Sequence, residues 1–178
     1  HAAIYRPPQS GKAPVIVSVY GGPGPQMVND SWAETVDLRA QMLAERGFVV
    51  LQVANRGPAR RGLKFEAPIA HHMGGIEVSD QVEGVRWLGT LGFADLSRVG
   101  IYGWSYGGYM TLMAMLRSPQ IFKVGIAGAP VTDQDGYETA YTGKYMGTTT
   151  ENTEAYRQSA VTTHVDRRHA QLLLIHRI

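Results

Sequence analysis

Ser105 lies in the run Gly103-Trp104-Ser105-Tyr106-Gly107-Gly108, a G-x-S-x-G pattern with one more glycine behind it. A serine hydroxyl is a weak nucleophile until a base takes its proton and the backbone holds its oxygen out toward a substrate. A sharp turn between a strand and a helix meets the second condition, and it brings strand and helix so close that only small residues fit two places before and two places after the serine. Gly103 and Gly107 fill those places, and Gly108 permits still closer packing. The helix that follows points its first N–H groups at the spot where a tetrahedral intermediate develops negative charge. Ser105 is therefore the expected nucleophile, and the backbone N–H of Tyr106 the first expected donor to the oxyanion. A second donor belongs at the end of an earlier strand, where Tyr20-Gly21-Gly22-Pro23-Gly24 stands. Either a backbone N–H of that turn or the Tyr20 phenol meets the need.

Such a turn requires a strand before it and a helix after it, and the sequence supplies both. Arg98–Gly103 reads as a strand and Tyr106–Arg117 as a helix. Four more runs read as strands: Val15–Tyr20, Phe48–Val53, Phe122–Ala127 and Leu172–His176. Between them lie helical patterns, one over Ser31–Glu45 with Ser31 as its cap and Gly47 as its stop. Another covers Ile76–Leu91, with Val78, Val82, Val85, Trp87 and Leu88 as apolar positions, and a weaker one Glu151–Ser159. Strands alternating with helices predict an α/β protein with a mostly parallel sheet covered on both faces, here the α/β-hydrolase fold.

The chain has 178 residues, enough for one domain, and its 44% hydrophobic and 18% charged residues fit an ordinary globular protein. The net charge of +2 is scattered, with small clusters only at Arg60-Arg61 and Arg167-Arg168, so nucleic acid is not an expected partner. The absence of cysteine excludes disulfides and thiolate catalysis. No apolar run approaches the ~20 residues that span a bilayer, and no membrane association is expected. The N-terminus does not have the pattern of a signal peptide. A soluble setting is expected, periplasmic or cytoplasmic in a bacterium, and the missing cysteines do not choose between the two. The adjacent His71-His72 is poorly spaced for one metal ion, and no cofactor or metal is called for.

These residues, taken together, resemble the catalytic domain of the prolyl oligopeptidase family. The resemblance rests on Gly103–Tyr109 and Val19-Tyr20-Gly21-Gly22-Pro23. It continues through Asn55-Arg56-Gly57, Gly75–Gln81, Ala129–Asp133 and Tyr137…Tyr141…Tyr145-Met146-Gly147. The Trp and Tyr flanking Ser105 point to its dipeptidyl peptidase IV branch. The resemblance implies that Tyr20 gives its phenolic proton to the oxyanion beside the Tyr106 N–H. It also implies that Tyr106, Val131, Tyr137 and Tyr141 line the pocket for the residue before the scissile bond, with Asp80 structural. A peptide substrate and a homodimer of full-length relatives are implied too. From the residues alone, the i, i+4 spacing of Tyr137 and Tyr141 favours one face of a helix packed on the core.

The sequence departs from the family pattern in three places. Gln134 and Gly136 stand where relatives commonly carry bulkier residues, a Trp at the first. Arg177 follows the strand Leu173–His176 where the family has Gly. The family order of Ser, then Asp, then His places the remaining triad members beyond Ile178, since none of His164, His169, His176, Asp133, Asp135 and Asp166 matches them. Residues 1–178 accordingly read as part of a peptidase domain, without the family's N-terminal β-propeller. The expected activity is release of N-terminal dipeptides after Pro or Ala through an acyl-enzyme on Ser105. An acylaminoacyl peptidase or esterase of the same fold is the alternative within enzymes, and a catalytically inert fragment the alternative outside them. An uncovered sheet edge and apolar surface are expected to drive association.

Overall fold

The computed structural model describes residues 1–29, 31, 37–167 and 171–176. Six strands form one sheet in the order β1-β3-β2-β4-β5-β6: β1 Ala2–Tyr5, β2 Ala13–Ser18, β3 Val49–Val53, β4 Ala94–Trp104, β5 Phe122–Gly128 and β6 Gln171–Ile175. β1 runs antiparallel to β3, and every other pair is parallel. Five of these strands were legible as β-branched or apolar runs. β1 was not, because Ala-Ala-Ile-Tyr acquires its extended form by pairing Ala2 to Val53 and Tyr5 to Val50.

The helices are α1 Leu38–Glu45, α2 Leu63–Glu66, α3 Ile76–Thr90, α4 Tyr106–Arg117, α5 Thr139–Met146 and α6 Thr153–Ser159. α1 begins later than the apolar pattern suggests. Asp37 caps it, accepting the N–H groups of Arg39 and Ala40 at 3.0 Å and the Gln52 amide at 2.9 Å. Trp32 and Val36, from the upstream half of the expected helix, lie outside the described residues, as do Arg168 and His169. α2 carries no clear apolar stripe and was not anticipated, and of α5 only the i, i+4 spacing of Tyr137 and Tyr141 gave a sign.

α4 is the central helix. Every residue from Tyr106 to Leu116 is buried, because α4 packs on β4 and β5 with α3 and the 3-10 segment Val161–Arg167 against it. Its Met110, Met113 and Met115 join Val15, Val17, Leu51, Ile101 and Phe122 in one core. The close approach of α4 to the sheet is what the glycines allow. A Cβ on Gly107 would strike the Val19 carbonyl oxygen, one on Gly103 the same oxygen and the Gly107 backbone, and one on Gly108 would sit 2.5 Å from the Gly128 carbonyl oxygen. The other face of the sheet is less covered. Trp104, Val124, Ile126, Leu173 and Ile175 are all exposed by 40% or more there, whereas Leu174 lies on the α4 face beside Leu112 and Met115.

Candidate active site

The turn from β4 into α4 places Ser105 at φ 57° and ψ −119°. A positive φ is uncommon for a residue with a Cβ and marks strain that the surroundings must hold in place. Two hydrogen bonds hold it here: Ser105 N–H donates to the Gly128 carbonyl at 2.9 Å, and the Ser105 carbonyl accepts Tyr109 N–H at 3.0 Å. Ser105 thus stands at the carboxyl end of a central parallel strand and at the N-terminus of a buried helix, whose first-turn amides have no intrahelical acceptor.

The chain brings six side chains around that serine. Tyr20, Tyr106, Val131, Gln134, Tyr137 and Tyr141 line one cleft with Ser105. They come from the end of β2, the start of α4, the loop after β5 and the first turns of α5. Tyr20, Tyr106, Val131, Tyr137 and Tyr141 were each singled out from the sequence. Gln134 was noted there only as a departure from the family pattern. The rings stack edge to face, with centroids 5.6 Å apart for Tyr137 and Tyr141 and 5.0 Å for Tyr141 and Tyr145. Tyr137 precedes α5 and Tyr141 lies within it; both rings line the cleft, and Tyr141 packs against the core as well while Tyr137 is exposed.

Tyr20 is half-buried, and its ring centroid lies 6.1 Å from that of Tyr106. Burial raises its pKa first, and the nearby Tyr137 and Tyr145 phenols raise it further. Tyr141 is raised for the same leading reason. Tyr20 and Tyr141 therefore face the cleft as neutral phenols, which can donate a proton but carry no charge. The segment after Tyr20 is tied down by Asn55, which is buried and donates its amide to the Gly21 carbonyl at 2.9 Å and the Arg56 carbonyl at 2.8 Å. Gln81 on α3 in turn donates to Asn55 Oδ1 at 2.9 Å. Gly22 is needed because a Cβ there would lie 2.6 Å from the Tyr106 ring.

Tyr106 has a second attachment that the motif did not reveal. Its hydroxyl donates to Glu77 Oε1 at 2.7 Å, and Gly74 and Gly75 donate their N–H groups to the same carboxylate at 3.0 and 3.1 Å. Glu77 is fully buried. Burial raises its pKa, and the Gly74, Gly75 and Tyr106 donors pull it back. The sequence held a signal for this residue, since Glu77 sits on the buried face of α3 with Val78, Gln81, Val82, Val85 and Leu88. Asp80, one turn on, faces outward and takes the Arg56 guanidinium and the Arg56 N–H. That contact is a structural tie between α3 and the loop after β3.

Of the histidines that follow Ser105, His164 is engaged elsewhere, its Nε2 meeting the Gln158 carbonyl at 3.0 Å; His71 Nδ1 meets the Met146 carbonyl at 3.2 Å. Among the described residues no three His, Asp or Glu side chains gather as they would around a metal ion. No helix among them is long and apolar enough to cross a membrane.

A strand, a tight turn carrying serine at positive φ and a buried helix, set at the carboxyl edge of a mostly parallel sheet, define an α/β-hydrolase fold. Residues 34–177 match the Prolyl oligopeptidase family, and the chain belongs to it. It is 43% identical over 183 residues to dipeptidyl peptidase 8 of Homo sapiens, covering 99% of this chain and 20% of that protein. It is 38% identical over 176 residues to prolyl endopeptidase FAP of Homo sapiens, covering 96% of this chain and 23% of the relative. A crystal structure of a Bacteroides ovatus protein assigned as a dipeptidyl aminopeptidase IV superposes with a TM-score of 0.96 at 40% identity, over 99% of this chain and 25% of that one. The chain thus spans about a fifth of the length of the curated relatives it matches.

Proposed function

We propose that this chain is the nucleophile-bearing part of a serine peptidase that releases N-terminal dipeptides after proline or alanine. The observation that carries the reading is the single cleft in which strained Ser105 meets Tyr20, Tyr106, Val131, Tyr137 and Tyr141. In this reading Ser105 Oγ attacks the carbonyl carbon of the second residue while a histidine outside the described residues takes its proton. The Tyr106 N–H and the Tyr20 hydroxyl receive the oxyanion. Collapse of the intermediate expels the amine, protonated by the same histidine, and leaves an ester on Ser105 that water hydrolyses. A flat, uncharged proline ring suits a wall of neutral phenol rings.

The test compares Gly-Pro and Ala-Pro amides with simple alkyl esters, on the longest polypeptide encoded with this chain. Turnover of the dipeptidyl amides at tenfold or more the kcat/KM of the esters is expected, and its loss in Ser105→Ala. Equal or better turnover of the esters overturns the peptidase reading.

A further inference from the structure

A carboxylate is an expensive side chain to bury, and a well-packed apolar pair in its place is often neutral or better for stability. Glu77, in the first turn of α3, is fully buried all the same. The Gly74 and Gly75 amides and the Tyr106 hydroxyl all donate to it. The loop that carries those amides is itself fixed to α4. The Arg117 guanidinium donates to the Gly74 carbonyl at 2.9 Å, and Gly74 packs so close to the Tyr109 hydroxyl that a Cβ would strike it. The carboxylate is thus a fixed point, and Tyr106 is the side chain it holds. Tyr106 follows Ser105 and opens α4. Glu77 pins its ring at the hydroxyl end. At the other end lies Gly22, near enough that a Cβ there would sit 2.6 Å from Tyr106 Cγ and 3.1 Å from its Cβ. The Tyr20 ring is tilted against the same ring at 6.1 Å. One pinned side chain therefore adjoins both groups assigned to the oxyanion, its own amide and the strand end that carries Tyr20.

We propose that Glu77 is a positioning residue for the reaction: its bond to the Tyr106 hydroxyl keeps the Tyr106 N–H and the Tyr20 hydroxyl aimed at the one point where the oxyanion forms. The inference rests on the peptidase reading above and on its assignment of those two donors. Glu77 acts through Tyr106, from behind the cleft. Donors to an oxyanion work because they are set in place before the charge develops, and a misplacement of about 1 Å can cost about 10²-fold in rate. Without the bond, packing alone holds the Tyr106 ring, and the amide and the Gly21-Gly22 turn lose their common reference. An apolar pair at positions 77 and 106 would fill the same space and fix neither donor.

The experiment uses the longest polypeptide encoded with this chain and its Glu77→Gln, Glu77→Met, Tyr106→Phe and Glu77→Met/Tyr106→Phe variants. It measures kcat and KM on an Ala-Pro amide and the rate constant for phosphonylation of Ser105 by a fluorophosphonate. Labelling carried to completion counts the sites, so that unfolded protein does not enter kcat. Met fills the space without an acceptor, whereas Gln keeps a carbonyl oxygen for the Tyr106 hydroxyl. Glu77→Met and Tyr106→Phe should each lower kcat and the phosphonylation rate about tenfold with little change in KM. Glu77→Gln should recover most of what Met loses, and the double variant should be no slower than either single one. The double variant should also melt above Glu77→Met, because it leaves no phenol unpaired, while its kcat stays low. A kcat that returns with the melting temperature marks a core role and overturns the proposal. Losses that multiply in the double variant, or that fall on KM alone, overturn it too. Should the Glu77 variants fail to fold, Tyr106→Phe decides, and a parental kcat there overturns it. If the parent cleaves no dipeptidyl amide while Ser105 still reacts with the fluorophosphonate, the peptidase reading itself has failed, and the phosphonylation rates judge Glu77 by the same pattern.

Discussion

Replacing Tyr106 by Phe removes one atom, the hydroxyl that donates to Glu77 at 2.7 Å. Glu77 keeps the Gly74 and Gly75 amides but loses its only side-chain donor. A hydrogen bond to a charged group contributes about 1.5–3 kcal/mol. For a chain of this size 1 kcal/mol moves Tm by about 2–4 °C, so a fall of about 3–12 °C is expected at pH 8. The pH dependence distinguishes this from a simple loss of packing. Burial already raises the Glu77 pKa in the folded state, so its contribution to stability is fullest below the unfolded carboxylate pKa and is lost as pH rises through the folded value. Tyr106 opposes that rise, and removing it lifts the folded pKa further. The gap between parent and variant should therefore be widest where Glu77 is ionised and shrink as the pH falls through its raised folded pKa and the carboxylate takes up its proton in both proteins. Thermal melts of the two proteins from pH 5 to pH 8 measure it. Tyr109→Phe is the control, because it loses a neutral bond to the Ser159 carbonyl and should show a smaller, pH-independent deficit of about 1 kcal/mol. Equal, pH-independent deficits for the two variants would refute the claim that a buried carboxylate anchors Tyr106.

Gly107→Ala should prevent stable folding, since its Cβ meets the Val19 carbonyl oxygen and neither backbone can retreat; a cooperative melt within ~1 kcal/mol of the parent would contradict this. Asn55→Ala should destabilise the chain by about 1–3 kcal/mol by leaving the Gly21 and Arg56 carbonyls unpaired and the Gln81 amide with its Val53 carbonyl bond alone, measured by urea titration; an unchanged midpoint would contradict this. Tyr20→Phe should lower kcat on dipeptidyl amides by about 10²–10³ with little change in KM, as expected for a donor used only by the oxyanion; a change confined to KM would reassign Tyr20 to binding.

What the sequence disclosed and what it hid divide along a physical line. The turn at Ser105 was legible because its requirements are local: a strand, two glycines at fixed offsets and a helix, all within a short run. The parallel strands were legible because they are short, continuous apolar or β-branched runs bounded by turn residues. β1 was hidden because its form depends on β3, and α5 because Gly143 and its polar residues mask the packing of Thr142 and Met146. The grouping of Tyr20, Val131, Tyr137 and Tyr141 came from the family resemblance, since no local rule joins residues more than a hundred positions apart. The Glu77–Tyr106 bond was hidden for the same reason: Glu77 is a surface residue type, and only the closure of α3 on α4 buries it.

The central claim is that Ser105 is an activated nucleophile at the head of α4. Treatment of the longest polypeptide encoded with this chain with a fluorophosphonate, followed by peptide mapping, tests it directly. The account predicts a single phosphonylated residue, Ser105, with labelling lost in Ser105→Ala and slowed in Tyr20→Phe. Labelling at another serine, or undiminished labelling of Ser105→Ala, would contradict it.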